Sequence, residues 1–139
     1  MIMLDTNVVS EPFRMRADSA VKLWLDRQQR RDLFLCAPVL AELHYGVERL
    51  PAGARRDRLA DWVRQVEEEF ADRTLAFDRT ASHAFARIVV LRSRLGRAIA
   101  PMDALIAAIA LTHDATLVTR DVDDFAGLDL DIINPFGVA

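Results

Sequence analysis

Four carboxylates in this 139-residue chain stand where an apolar segment stops or a helix begins. Asp5 follows Met-Ile-Met-Leu, Glu42 lies in Pro-Val-Leu-Ala-Glu-Leu, Asp103 lies in Pro-Met-Asp-Ala-Leu-Ile, and Asp121 follows Thr-Leu-Val-Thr-Arg. If the short apolar runs are parallel strands, their carboxyl ends share one edge of the sheet, and residues just beyond them converge on one crevice. Crowded anions repel: two at ~4 Å cost roughly 4 kcal/mol at an effective dielectric of 20, so such a cluster needs protons or a cation between its members. Oxygen-only ligands favour Mg²⁺ or Mn²⁺ over zinc.

The alternation of runs supports that geometry. Ile2 to Leu4 reads as a strand, followed by a short helix from Asn7 to near Pro12 and a second helix capped by Asp18, with Val21, Trp24 and Leu25 on one face. Leu33 to Cys36 reads as the second strand. Pro38 suits a first helical position, and Val39, Leu40, Leu43, Val47 and Leu50 form the stripe of a helix ended by Pro51 and Gly53, with Glu42 riding on it. A helix from about Ala54 to Phe70, a strand at Thr74 to Phe77, a helix capped by Asp78 and running to about Leu95, a helix from Pro101 through His113 and a strand at Thr116 to Thr119 complete the series. Alternating strands and helices predict a parallel sheet with right-handed crossovers and helices on both faces.

Composition narrows the function classes. A chain of this length with 52% hydrophobic residues suits a single domain, residues 1–139, burying roughly two-thirds of its unfolded surface. One cysteine, Cys36, precludes an internal disulfide, makes a thiolate zinc site implausible and reads as core. Neither a signal-peptide pattern nor a membrane-length run occurs, because Asp5 and Glu11 interrupt the N-terminus and Ile99 to Leu111 is too short to span; the expectation is a soluble, cytoplasmic protein without membrane partners. Setting the four acids aside leaves 17 acids against 18 bases, of which Lys22 is the only lysine. Arginines cluster at Arg27, Arg30 and Arg31, at Arg55, Arg56 and Arg58, and at Arg87, Arg92, Arg94 and Arg97; they read first as solvated helix faces and second as phosphate-binding forks.

Taken singly, each acid has an ordinary explanation. Asp5 suits a helix cap, Asp121 a turn, Glu42 an exposed helix face, and Asp103 a first-turn acid stabilised by the helix dipole. The run after Asp103, Ala104 to Leu111, is apolar all round, which marks a helix buried on nearly every side with its N-terminus aimed at a specific place. His44 and His83 lack metal-ligand spacing, and His113 suits a helix C-terminus.

Ile2-Met3-Leu4-Asp5-Thr6-Asn7-Val8-Val9-Ser10-Glu11, then Glu42, Pro101-Met102-Asp103-Ala104-Leu105-Ile106-Ala107 and Leu117-Val118-Thr119-Arg120-Asp121, resemble in order and spacing the motifs of PIN-domain proteins, most closely the VapC/FitB toxins of bacterial toxin-antitoxin pairs. The resemblance runs from Met1 to Ile133-Asn134-Pro135-Phe136. It implies a three-layer α/β/α sandwich with a short, mostly parallel sheet, and a Mg²⁺- or Mn²⁺-dependent endoribonuclease hydrolysing RNA by metal-activated water. It also implies a homodimer and neutralisation by a small antitoxin that tethers the complex to operator DNA. Matched by motif, Asp5 and Asp103 are the principal metal ligands, Glu42 and Asp121 complete the site, and Asn7 and Thr119 hold the ligands or the scissile phosphate. Asp124 is a lesser contributor beside Phe125, which suits a packing anchor. The alternatives are a housekeeping PIN-type RNA-processing nuclease, an aspartyl-phosphate phosphotransfer domain, which normally needs a lysine at the sheet edge, and a binding module merely stapled by metal.

Overall fold

The computed structural model describes residues 1–137. Its core is a five-stranded sheet in the order β3-β2-β1-β4-β5, with β1 Ile2–Leu4, β2 Leu33–Cys36, β3 Thr74–Leu75, β4 Thr116–Val118 and β5 Ile132–Ile133. Every pairing is parallel: Ile2 pairs with Leu33 on one side and Thr116 on the other, Leu35 with Thr74, and Leu117 with Ile132. The central strands read as uninterrupted apolar runs because both faces are covered: Met3, Leu35, Cys36, Leu117 and Val118 have no exposed surface.

Six helices connect the strands: α1 Thr6–Ser10, α2 Ser19–Asp26, α3 Ala37–Glu48, α4 Ala54–Glu69, α5 Arg79–Arg94 and α6 Pro101–Thr112. The chain builds outward from β1 to β2 and β3, then returns across the sheet to lay β4 against the other side of β1. With right-handed crossovers the two halves of that path cover opposite faces, giving three α/β/α layers. The strand order therefore reverses between β1 and β4, and the crevice beyond their carboxyl ends is the switch point at which open α/β sheets bind ligands.

The apolar run of α6 is buried as expected: Ala104 and Ile106 to Ala110 have no exposed surface, and α6 packs against α5 and β4. Asp78 caps α5 by accepting from the Ala81 backbone N–H at 2.9 Å, and Asp18 caps α2 through Ala20 at 2.8 Å. Several boundaries differ from the sequence reading. The α1 segment is five residues long and tightens into a 3-10 turn at Glu11–Phe13, where Pro12 removes a donor. Helix α3 ends at Glu48, two residues before Leu50, and β3 stops at Leu75, so Ala76 and Phe77 are not strand. The edge strand β5 has no counterpart in the sequence reading. It is two residues long, and its ladder is made by backbone bonds that composition does not report: Leu117 N–H to the Asp131 carbonyl at 2.8 Å and Thr119 N–H to the Ile133 carbonyl at 2.9 Å.

Among the described residues no helix is long and apolar enough to cross a membrane.

Candidate active site

Asp5 is the first residue beyond β1, and its backbone N–H donates to the Val118 carbonyl of β4 at 2.9 Å, so it sits at the switch point itself. It is buried, and each carboxylate oxygen has a donor: Oδ1 accepts from the Thr6 backbone N–H at 2.8 Å and Oδ2 from the Thr119 hydroxyl at 2.7 Å. Asp5 is thus the cap of α1 and also part of an acid cluster. Burial pushes its pKa up, with Glu42 and Asp121 adding to the rise, against the opposing effect of the Thr119 and Thr6 bonds.

The network extends on both sides. The Thr6 hydroxyl donates to Glu42 Oε1 at 2.6 Å, which turns that half-buried α3 side chain toward the crevice rather than toward solvent. The Asn7 side-chain amide donates to Asp121 Oδ2 at 2.9 Å, and its carbonyl oxygen accepts from the Arg120 backbone N–H at 3.2 Å. The fully buried Thr119 hydroxyl, while donating to Asp5, accepts from the Asp121 backbone N–H at 3.0 Å. Asp5, Thr6, Asn7, Glu42, Thr119 and Asp121 therefore form one connected unit spanning α1, α3 and the turn after β4.

Asp103 enters from the first turn of α6. A helix dipole worth about 0.3–1 kcal/mol shifts a pKa downward by less than one. Asp103 is instead pushed up to about 6, first by desolvation and then by Asp5, Asp124, Glu42 and Asp121 in that order. An acid raised by four other acids is not an isolated helix-start residue.

These oxygen donors suit a hard divalent cation in chemistry, and the mutual repulsion is of the kind that a cation relieves. Among the described residues, however, no three carboxylate, histidine or cysteine groups are disposed to enclose an ion where they stand. Hydroxyl and amide donors hold Asp5, Glu42 and Asp121 while leaving lone pairs free on each carboxylate, so ligation requires these side chains to keep those bonds and draw together.

The PIN domain profile matches residues 2–129. The chain is 39% identical to the VapC ribonuclease Y4jK of Sinorhizobium fredii, covering 98% of each protein. It is 38% identical to the toxin FitB of Neisseria gonorrhoeae, over 98% of this chain and 99% of that one. This chain belongs to the PIN-domain family, in its VapC/FitB branch. The structure of FitAB bound to an IR36 DNA fragment contains a chain that superposes on this PIN domain with a TM-score of 0.93 at 36% identity, covering 100% of this chain and 98% of that one.

Some features of this PIN domain were not among the residues singled out from the sequence. Thr6, the donor that orients Glu42, stands inside the quoted N-terminal motif, so a search for donors beside each acid could have found it. Glu11 lies in the same motif and is 3% exposed; it accepts from the Asp18 backbone N–H at 3.1 Å and faces Arg14 at 3.4 Å and Arg120 at 3.5 Å. The Arg120 guanidinium also stacks 4.0 Å from the centre of the Phe136 ring. Glu11→Ala strips partners from these groups and is expected to destabilise the fold by about 1–3 kcal/mol, read from the urea midpoint. The arginines divide: most are exposed as expected, whereas Arg92 is buried, contrary to the solvated-face reading. Its register on α5 turns it inward, a direction that a cluster of like charges does not reveal. Lys22 is exposed on α2. Asp124 is exposed and acts on Asp103 through its charge, while Phe125, 1% exposed, anchors the turn.

Proposed function

We propose that this PIN domain, a single unit over residues 1–139, is the toxin of a type II toxin-antitoxin pair and a Mg²⁺- or Mn²⁺-dependent endoribonuclease. The observation that carries the reading is the hydrogen-bonded set of Asp5, Glu42 and Asp121 at the switch point of the sheet, with Asp103 entering from α6 near enough for their charges to raise it. The VapC ribonuclease and FitB relatives support the toxin assignment, and the DNA-bound FitAB complex supports a small antitoxin that brings the pair to operator DNA. A homodimer acting in the cytoplasm completes the proposal.

A bound divalent ion supplies neutralisation of the phosphodiester and a lowered pKa for the attacking water. Asp5 and Asp103 would hold that ion, with Glu42 and Asp121 completing the set of acids around it. The chain's own part is orientation. Thr119 fixes one oxygen of Asp5, Thr6 fixes Glu42, and Asn7 ties Asp121 to α1, so each acid enters with a set direction and little rotamer freedom to lose. No Ser or Cys is paired with a base in the sequence motifs, so hydrolysis needs no covalent enzyme intermediate.

The test is cleavage of a mixed RNA pool by the purified chain with Mg²⁺, Mn²⁺ or EDTA, alongside growth of bacteria expressing it with and without any short reading frame that adjoins its gene. Metal-dependent cleavage and growth arrest relieved by that neighbour are expected. Cleavage in EDTA, or arrest that the neighbour leaves untouched, would refute the proposal.

A further inference from the structure

Among the described residues Arg92 is the only buried cation, 4% exposed near the end of α5. Its partners are carbonyl groups: Nε donates to Arg97 at 2.7 Å and Nη1 donates to Asp124 at 2.5 Å, 32 residues away. Removing a guanidinium from water carries a large desolvation penalty, and neutral carbonyls offset less of this than a carboxylate would. Ending the helix does not require it. Leu95 N–H already closes onto the Leu91 carbonyl at 3.0 Å, Gly96 turns the chain with φ +73°, and Arg97 N–H returns to the Arg92 carbonyl at 2.9 Å. The charge serves instead to join two distant segments.

Those two segments carry opposite sides of the acid cluster. The connection from Arg97 to Ala100 leads directly into Pro101, two residues before Asp103. The 3-10 turn Val122–Phe125 follows Asp121 and contains Asp124, with Asp124 N–H bonded to the Asp121 carbonyl at 3.0 Å. Phe125 holds this turn from below in the core, Arg97 Nη2 reaches the Asp123 carbonyl at 3.3 Å, and Arg92 grips Asp124. Where the chain leaves the turn, Gly127 adopts φ +80° so close to α5 that a Cβ there would meet Leu95 Cδ1 at 2.9 Å. The end of α5 thus serves as a jig for the acid-bearing turn.

We propose that Arg92 is a positioning residue for the metal site: its guanidinium locks the turn bearing Asp121 and Asp124 against the connection that leads to Asp103, and so sets how tightly the acids hold a divalent cation. The proposal rests on the metal-dependent reading of the site given above. Arg92 touches neither metal nor substrate; it acts through the backbone of the turn. A fork with two diverging donors spans both carbonyls, whereas a lysine ammonium at the end of one stem reaches one of them well.

The experiment is Mn²⁺ titration of the whole chain as wild type, Arg92→Lys and Arg92→Met, each below its melting temperature in EDTA, with RNA cleavage followed across the same Mn²⁺ series. Folded Arg92→Met is expected to bind Mn²⁺ about 10- to 100-fold more weakly, the range seen when groups supporting metal ligands are lost, with Arg92→Lys between it and wild type. Cleavage should recover as Mn²⁺ is raised, because the acids remain. Wild-type affinity in folded Arg92→Met would overturn the proposal, and so would failure of both variants to fold, which would make Arg92 an anchor of the fold alone. A wild-type chain that binds no Mn²⁺ would overturn the metal-dependent reading first and this proposal with it; wild-type binding matched by Arg92→Met overturns this proposal alone.

Discussion

Asp5→Asn and Asp103→Asn should each reduce metal-dependent RNA cleavage by at least about 100-fold while leaving a folded protein. Both substitutions conserve volume and remove one negative charge. A metal ion contributes several kcal/mol to stabilising a phosphodiester transition state, and each ~1.36 kcal/mol is a factor of ten, so weakening its hold by one principal ligand removes two or more decades of rate. The two variants differ in what else they disturb. In Asp5→Asn the new amide can still accept from the Thr6 N–H through its carbonyl oxygen, but its NH₂ group cannot accept from the Thr119 hydroxyl, so that bond must invert or break. Asp103 draws no stabilising hydrogen bond of that kind, since every cause acting on its pKa raises it. Asp103→Asn is therefore the cleaner probe of charge. Cleavage of a mixed RNA pool with Mn²⁺, against a circular dichroism melt of each variant, supplies the comparison. Undiminished cleavage by folded Asp103→Asn would remove this residue from the site.

The sheet and much of the acid cluster were legible in the sequence because parallel strands buried on both faces leave an unmistakable mark. Runs such as Met1 to Leu4 and Leu117-Val118 stop abruptly at a polar residue, and that residue must then lie at the carboxyl edge. Glu42 was less legible. It rides on a helix rather than ending a strand, and its inward turn depends on the Thr6 hydroxyl 36 residues away. Two things stayed hidden for different reasons. The β5 strand is held by backbone bonds to Asp131 and Ile133, which no side-chain pattern encodes. Arg92 stands in a run with Arg87, Arg94 and Arg97 whose composition is that of a solvated face, and only the packing of α5 on α6 and on the turn around Phe125 turns that one member inward. Local periodicity reports which face a helix buries. It does not report that a charged residue on that face will find two carbonyls waiting.

The acid cluster should also make the metal-free protein lose stability as pH rises. Asp103 titrates at about 6 in the folded chain, and Asp5 is raised as well, both chiefly by desolvation. An unfolded aspartate titrates near ~3.9, so between these values the folded state binds more protons than the unfolded state. Stability contributed here is fully present below pH ~4 and is lost as pH climbs through about 6, opposite in sign to a salt-bridged aspartate. Asp103 is only half-buried, so solvent screening reduces the size of the effect without changing its direction. Two consequences can be measured together. In EDTA the melting temperature of wild type should fall between about pH 4 and 6 more steeply than that of Asp103→Asn, which lacks the titrating group. At about pH 7, Mn²⁺ at about 100 times its Kd should stabilise wild type by about 2.7 kcal/mol, a rise in melting temperature on the order of 10 °C. Asp103→Asn should gain much less, because it binds the ion more weakly. Losing a favourable helix-dipole contact costs the variant about 0.3–1 kcal/mol in EDTA, so absolute melting temperatures are a poorer guide than the two slopes, with pH and with metal. Equal slopes in wild type and Asp103→Asn would return Asp103 to the role of an ordinary acid in the first turn of a helix.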